Sequence, residues 1–279
     1  MNVSPIDPDL LTDALQREGL DSVEGAFAFG GGEDLNKPNL SHRRRTHFEI
    51  TDQAGTSHSL YLKRYGRESL RQRLRRRWTY GPRSSPAAAE YRNIRAARAA
   101  GVPTMQAVCF GEQFGLLGAV RSFVVVTAVG GDALERCIGS FLDRHGTGPE
   151  TACLTEKLAE LVRTFHGAGY VHRDLYASHV FLDESDGRMH LCLIDLARMF
   201  KPRWRRFRWR VKDLAQLKYS MPNRWVENFW EHFFDLYSDG MDAGLCSRYQ
   251  RAIDAKAAGM RRRQEKKRDA SAEGKGPCE

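Results

Sequence analysis

Period-two alternation dominates the first third of the chain. T-H-F-E-I-T (46–51) and S-L-Y-L-K-R-Y (59–65) place apolar residues at every second position on either side of an Asp-Gln-Ala-Gly-Thr turn, which predicts a β-hairpin. V-E-G-A-F-A-F (23–29), M-Q-A-V-C-F (105–110) and S-F-V-V-V-T (122–127) read as further strands, and Gly30–Gly32 follow the first of them. Residues 86–100 are strong helix formers, opened by Pro86 and stopped by Gly101. After Val129-Gly130-Gly131 the period changes. Leu154, Leu158, Leu161, Val162 and Phe165 recur at three- and four-residue spacing, which predicts a helix with one apolar stripe. Two short strand-like runs, His179–Leu182 and His190–Ile194, flank a turn. Trp225, Val226, Phe229, Trp230, Phe233, Phe234 and Tyr237 share a helical face, and that spacing already marks them as core.

This pattern predicts an α+β chain in two lobes, a small β-rich one with one main helix and a larger, mostly helical one. The expected boundaries are an N-terminal extension over 1–22, the first lobe over 23–128, the second over 129–265 and a flexible polar tail over 266–279. Two lobes of unlike class joined by a glycine-containing hinge commonly leave a ligand cleft.

Charge and cysteine content narrow the function. The 44 basic against 35 acidic residues give a net charge of +9. The excess sits in clusters at Arg43–Arg45, Arg64–Arg77, Lys201–Lys212 and Arg261–Arg268. Such stripes suit an anionic partner: nucleic acid, anionic lipid, phosphorylated sugar or an acidic protein. The longest largely apolar stretch, Phe123–Val129, is far short of the about 20 residues a membrane-crossing helix needs. M-N-V-S-P-I-D-P-D-L does not read as a signal peptide, so a cytoplasmic protein is expected. The six cysteines are scattered, which excludes paired metal sites and a dense disulfide framework, and Cys109 and Cys192 lie in apolar runs as buried thiols.

The chemistry is carried by V-H-R-D-L-Y-A-S-H-V-F-L (171–182) and L-I-D-L-A-R (193–198). A short apolar strand brings an acid in a polar loop near an acid at its end. Phosphoryl transfer needs that pair: one carboxylate to orient the attacking hydroxyl and take its proton, one to hold Mg2+. Asp174 takes the first role and Asp195 the second. Upstream, Lys63 ends a strand where a cation can reach a triphosphate, and Glu90 on the next helix holds it.

These residues resemble the protein-kinase-like superfamily: a strand lysine, a helix glutamate, H-R-D-L-x-x-x-N and D-F-G. Within it, H-R-D-L-Y-A-S-H, I-D-L-A-R and R-W-R-V-K-D-L-A-Q-L-K-Y-S resemble the bacterial lipopolysaccharide kinases. Members of that family phosphorylate inner-core heptose or 3-deoxy-manno-octulosonic acid with ATP at the cytoplasmic face of the inner membrane. The resemblance implies a two-lobed kinase-like fold with Asp174, Lys63 and Glu90 catalytic. It implies Lys63, Gly30, Gly31 and Val129 at the nucleotide, and Asp195 and His179 at the metal. His172, Arg173 and Asp213 brace the loop. Arg203, Arg205, Arg206, Arg208 and Arg210 face the acceptor or the membrane. The expected cofactors are ATP and Mg2+, with Mn2+ possible. The expected partners are a lipopolysaccharide core precursor, an anionic inner-membrane surface bound peripherally, and an acidic protein such as an acyl carrier protein.

The chain departs from the wider superfamily at three places. His179 stands where an asparagine holds metal, and imidazole is a poor Mg2+ ligand. D-F-G is D-L-A, and G-x-G-x-x-G is absent, with Gly30–Gly32 the nearest candidate. No A-P-E follows Asp195; K-P-R-W-R-R-F-R-W-R does, which suits an anionic amphiphile better than a peptide. The alternatives are a kinase of another small molecule or glycan, an inactive kinase-like adaptor on anionic membrane or an acidic protein, and, less in keeping with the motifs, a nucleic-acid-binding module.

Overall fold

The computed structural model describes residues 8–35, 43–66, 69, 78, 84–115 and 118–273. Two compact units emerge. Unit 1 comprises Met1–Gly130, Ser185–Gly187 and Cys192–Phe200; unit 2 comprises Gly131–Glu184, Arg188–Leu191 and Lys201–Glu279.

Unit 1 is built on an antiparallel sheet in the order β1-β2-β3-β5-β4. Its strands are β1 (Glu33–Asp34), β2 (Arg43–Thr51), β3 (Ser57–Tyr65), β4 (Ala107–Gly115) and β5 (Gly118–Thr127). The Asp52–Thr56 turn closes β2 on β3 because Asp52 Oδ1 accepts from the backbone N–H groups of Ala54 and Thr56. That register pairs Phe48 with Leu60 and Arg45 with Lys63. Helix α3 (Pro86–Ala99) starts where Ser85 Oγ accepts from Ala88 N, with proline in the first turn.

Two expectations at the N-terminus change. Residues 23–29 do not form a strand: α2 (Val23–Ala28) is a helix, capped by Ser22 Oγ on Gly25 N at 3.0 Å. Alternation misleads here because Val23 and Ala26, buried at helical spacing, explain the same letters. Gly25 is required by close packing, since a Cβ there would lie 1.9 Å from Gly19 O. The segment expected as an extension contributes α1 (Pro8–Arg17), whose Leu11, Ala14 and Leu15, with Leu20, join Phe48, Leu60, Leu62, Phe123 and Val125 in the unit 1 core.

Unit 2 opens on β6 (Asp132–Ala133), which pairs antiparallel with β7 (Val180–Asp183). Gly131 has φ +75, and a Cβ on it would meet Leu182 O at 1.9 Å, so only glycine fits. β8 (His190–Leu193) lies beside β7. The helices are α4 (Leu134–His145), α5 (Pro149–Gly167), α6 (Arg206–Ser220), α7 (Asn223–Ser238) and α8 (Ala243–Glu273). α5 packs on α7 and α6 on α8. Trp225, Phe229, Trp230, Phe233, Phe234 and Tyr237 of α7 are all buried, and Trp225 Nε1 donates to Thr155 Oγ1 at 3.1 Å. The polar tail expected from Lys266 onward is still helical through Glu273, because α8 contains neither proline nor a C-cap signal there.

Candidate active site

In unit 1 the sheet changes character at the end of β3. Leu60 and Leu62 are apolar and buried, but Lys63, Arg64 and Tyr65 are buried too. Alternation sorts them: Lys63 and Tyr65 point to one face, Arg64 to the other. On the first face Lys63 Nζ donates to Glu90 Oε1 of α3 at 2.5 Å, with side-chain exposures of 6% and 0%, and the Tyr65 hydroxyl donates to Glu90 Oε2. A buried ion pair contributes little net stability, because desolvation offsets its attraction. What the pair does is fix the lysine head in one place.

The same network reaches Asp195. The guanidinium of Arg43, on β2, lies over the Tyr65 ring at 5.4 Å, and its Nη2 stands 3.4 Å from Asp195 Oδ1. Tyr65 first, then Asp195 and Glu90, hold Arg43 above its ordinary pKa, while burial pushes Tyr65 well above its own. Asp195 has φ 57 and ψ 56, a left-handed conformation that aspartate tolerates better than most residues. The chain is pinned on both sides of it. Thr104 Oγ1 donates to Leu193 O at 2.5 Å, and Asn93 Nδ2 of α3 donates to Leu196 O at 2.8 Å and Met199 O at 3.0 Å. Arg43, Tyr65 and Asn93 were not singled out from sequence. Arg43 lies in a basic run, and Asn93 belongs to no motif.

Gly30 and Gly31 precede β1 and do not lie within a hairpin. Arg64 fixes this stretch by donating to Phe29 O at 3.1 Å and to Thr46 Oγ1. The β1–β2 connection, 36–42, lies outside the described residues. Val129 follows the end of β5 and is half-buried.

In unit 2 the loop after α5 is organised by α6. Asp213, 0% exposed, accepts from His172 N at 2.7 Å and Arg173 N at 2.8 Å. Lys212 Nζ donates to Arg173 O and stands 3.9 Å from Asp174 Oδ1; Ser220 Oγ accepts from Ala177 N at 2.7 Å. Arg173, with φ 76, lies over the Trp209 ring at 5.7 Å. These contacts leave the Asp174 carboxylate one quarter exposed. His179 ends a 3-10 turn (Ala177–His179); its Nδ1 donates to Asp174 O at 2.7 Å and its ring stacks on His172 at 5.7 Å. In a neutral ring this places the lone pair on Nε2.

His166 is a further buried residue not anticipated from sequence. Its Nδ1 is 3.0 Å from the Tyr237 hydroxyl and its Nε2 is 3.4 Å from Asp213 Oδ2. Burial lowers its pKa.

The basic run divides. Arg203, Arg205, Arg206 and Arg208 are exposed around Trp204, which is 83% exposed. Arg210 turns inward and donates to His166 O at 2.5 Å, so it belongs to the scaffold rather than to an outward-facing patch. Residues 70–77, which hold most of the second expected stripe, lie outside the described residues.

Among the described residues no three His, Cys, Asp or Glu side chains gather into a metal-binding cluster. Mg2+ is commonly bound by one or two carboxylates plus substrate phosphates and water, so a partly exposed Asp195 fits it. Burial pushes the Cys109 and Cys192 thiols up to about 12, which makes them poor nucleophiles.

Residues 37–237 match the family model described as the lipopolysaccharide kinase (Kdo/WaaP) family. The chain belongs to that family. It is similar to the lipopolysaccharide core heptose(I) kinase WaaP of Pseudomonas aeruginosa, at 34% identity over 47% of the chain and 51% of that protein. That alignment spans about half of the relative's length. The WaaP of Escherichia coli is 27% identical over 75% of the chain and 72% of its own length. A solved structure, WaaP in complex with acyl carrier protein, superposes with a TM-score of 0.63 at 26% identity, covering 88% of this chain and 91% of that one. The two-lobed α+β kinase-like class follows from that likeness. Among the described residues no helix is long and apolar enough to cross a membrane.

Proposed function

We propose that this member of the lipopolysaccharide kinase family transfers the γ-phosphoryl group of ATP to a sugar hydroxyl of the lipopolysaccharide inner core, with heptose the first candidate acceptor. The observation that carries this reading is the buried Lys63–Glu90 pair, tied through Tyr65 and Arg43 to Asp195. Such a pair is a costly way to stabilise a fold and an effective way to hold an ammonium for a phosphate. Lys63 binds the nucleotide phosphates, and Asp195 supplies the oxygen ligand for Mg2+. The ion would neutralise charge on the phosphates. Asp174, held by the grip of Asp213 on its loop, orients the acceptor hydroxyl and accepts its proton. His179 supports the loop through the Asp174 carbonyl, and its Nε2 is the second candidate metal ligand.

The acceptor lies at a membrane, and the Trp204 patch supports peripheral binding there: an exposed indole among four exposed arginines suits an anionic interface. An acyl carrier protein is the complementary candidate partner, because the solved WaaP structure is a complex with one.

The test uses purified chain, labelled ATP, Mg2+ and core lipopolysaccharide lacking heptose phosphate. Wild type should label the core sugar, and Asp174→Asn should bind ATP yet lower turnover by roughly 10²–10⁴. No transfer to any core acceptor, or wild-type rates in Asp174→Asn, would sink the assignment.

A further inference from the structure

Helix α6 presents Lys212 and Asp213 as neighbours, and they do different work. Asp213 is fully buried and faces two backbone N–H groups, so it sets the shape of the loop. Lys212 is one quarter exposed, as is Asp174. Its ammonium is tethered by Arg173 O on one side and stands 3.9 Å from Asp174 Oδ1 on the other. At 3.9 Å the contact is electrostatic rather than a well-made hydrogen bond. A lysine whose purpose was to brace the loop would be as well served by the Arg173 carbonyl alone. The loop is already held at His172 N, Arg173 N and Ala177 N by Asp213 and Ser220.

We infer that Lys212 is a further catalytic residue, whose ammonium contacts the phosphoryl group as it passes to the hydroxyl held by Asp174. This rests on the kinase reading above and extends it to a residue outside both acid motifs. In the step, the acceptor oxygen bonds to the γ-phosphorus while the bond from that phosphorus to the β–γ bridging oxygen breaks. ADP leaves with the electron pair, and the hydroxyl proton goes to Asp174. Charge collects on the moving phosphoryl oxygens, and a tethered cation beside the base meets it without reorganising. The tether to the Arg173 carbonyl holds the head in place beside Asp174 as the phosphoryl group passes.

The test compares binding of ADP–Mg2+ with and without aluminium fluoride, a mimic of the transferring phosphoryl, by calorimetric titration. Wild type should tighten by about 10² or more, as transition-state analogues do. Lys212→Met should bind ADP within about threefold of wild type, lose most of that tightening, and lower turnover by roughly 10²–10³. Lys212→Arg, which keeps the cation, should recover part of both. Should Lys212→Met fail to fold by circular dichroism, Lys212→Gln makes the same comparison, because its amide still donates to the Arg173 carbonyl. Equal tightening in wild type and in a folded neutral variant overturns the inference. Absence of tightening and of phosphate transfer in wild type itself would instead overturn the kinase reading, and Lys212 with it.

Discussion

Asp213→Asn is the substitution whose cost follows most directly from the coordinates. The carboxylate is 0% exposed and accepts two backbone N–H groups at 2.7 and 2.8 Å, from His172 and Arg173. Hydrogen bonds to a charged group contribute about 1.5–3 kcal/mol each. Asparagine keeps the size but offers one carbonyl oxygen, so one N–H loses its acceptor and meets an NH2 instead. An orphaned buried donor costs about 1–3 kcal/mol, and the surviving bond loses its charge assistance, which together come to about 3 kcal/mol. At about 2–4 °C per kcal/mol for a chain of this size, calorimetric melting should fall by roughly 6–12 °C. Turnover should fall as well, by about 10², because the Asp174 loop shifts out of register. Asp254→Asn is the control. Its pair with Lys218 is at the surface, with Asp254 57% exposed, and such pairs are worth about 0–1 kcal/mol. If Asp213→Asn melts and turns over like Asp254→Asn, the grip of α6 on the loop is not what holds Asp174 in place.

Glu90→Gln should destabilise unit 1 by about 3–5 kcal/mol by leaving a buried ammonium without its carboxylate, and should weaken ATP binding measured by fluorescent-nucleotide displacement. Unchanged nucleotide affinity in the folded variant would remove Lys63 from the phosphate site. His166, lowered by burial despite Asp213 nearby, stays neutral in the folded chain while the unfolded chain takes a proton near pH 6.5. Its contribution is therefore complete above that pH and is lost as pH falls, by at most about 1.4 kcal/mol per pH unit. Calorimetry between pH 7.5 and 5 should show this slope in wild type and a shallower one in His166→Gln, and identical slopes would refute it. Co-sedimentation with anionic vesicles should weaken on replacing Trp204 and steeply with salt, given a Debye length of about 8 Å at physiological ionic strength. Salt-independent binding would count against the lipid surface.

Periodicity and breakers were enough to read most elements, because β2, α3, α5 and α7 each bury one face whose letters repeat at the period of that element. The pairing of Lys63 with Glu90 was legible for a related reason: a lysine at the end of an apolar strand can be buried only with a carboxylate beside it. The reading of 23–29 as strand failed because a six-residue helix fits both periods, and the deciding facts were the Ser22 cap and the Gly25–Gly19 contact. Arg43, Asn93, Lys212 and His166 carried no signal of their own. Arg43 meets Asp195 from 152 positions away, Asn93 meets Leu196 O from 103, and Lys212 meets the Arg173 carbonyl from 39. A basic residue in a basic run is read locally as surface charge, and local sequence does not tell which arginine turns inward, as Arg64 and Arg210 do, and which stays in water, as Arg203 does. That choice depends on which distant carbonyls and carboxylates the packed elements bring within hydrogen-bonding reach, a property of the tertiary structure alone.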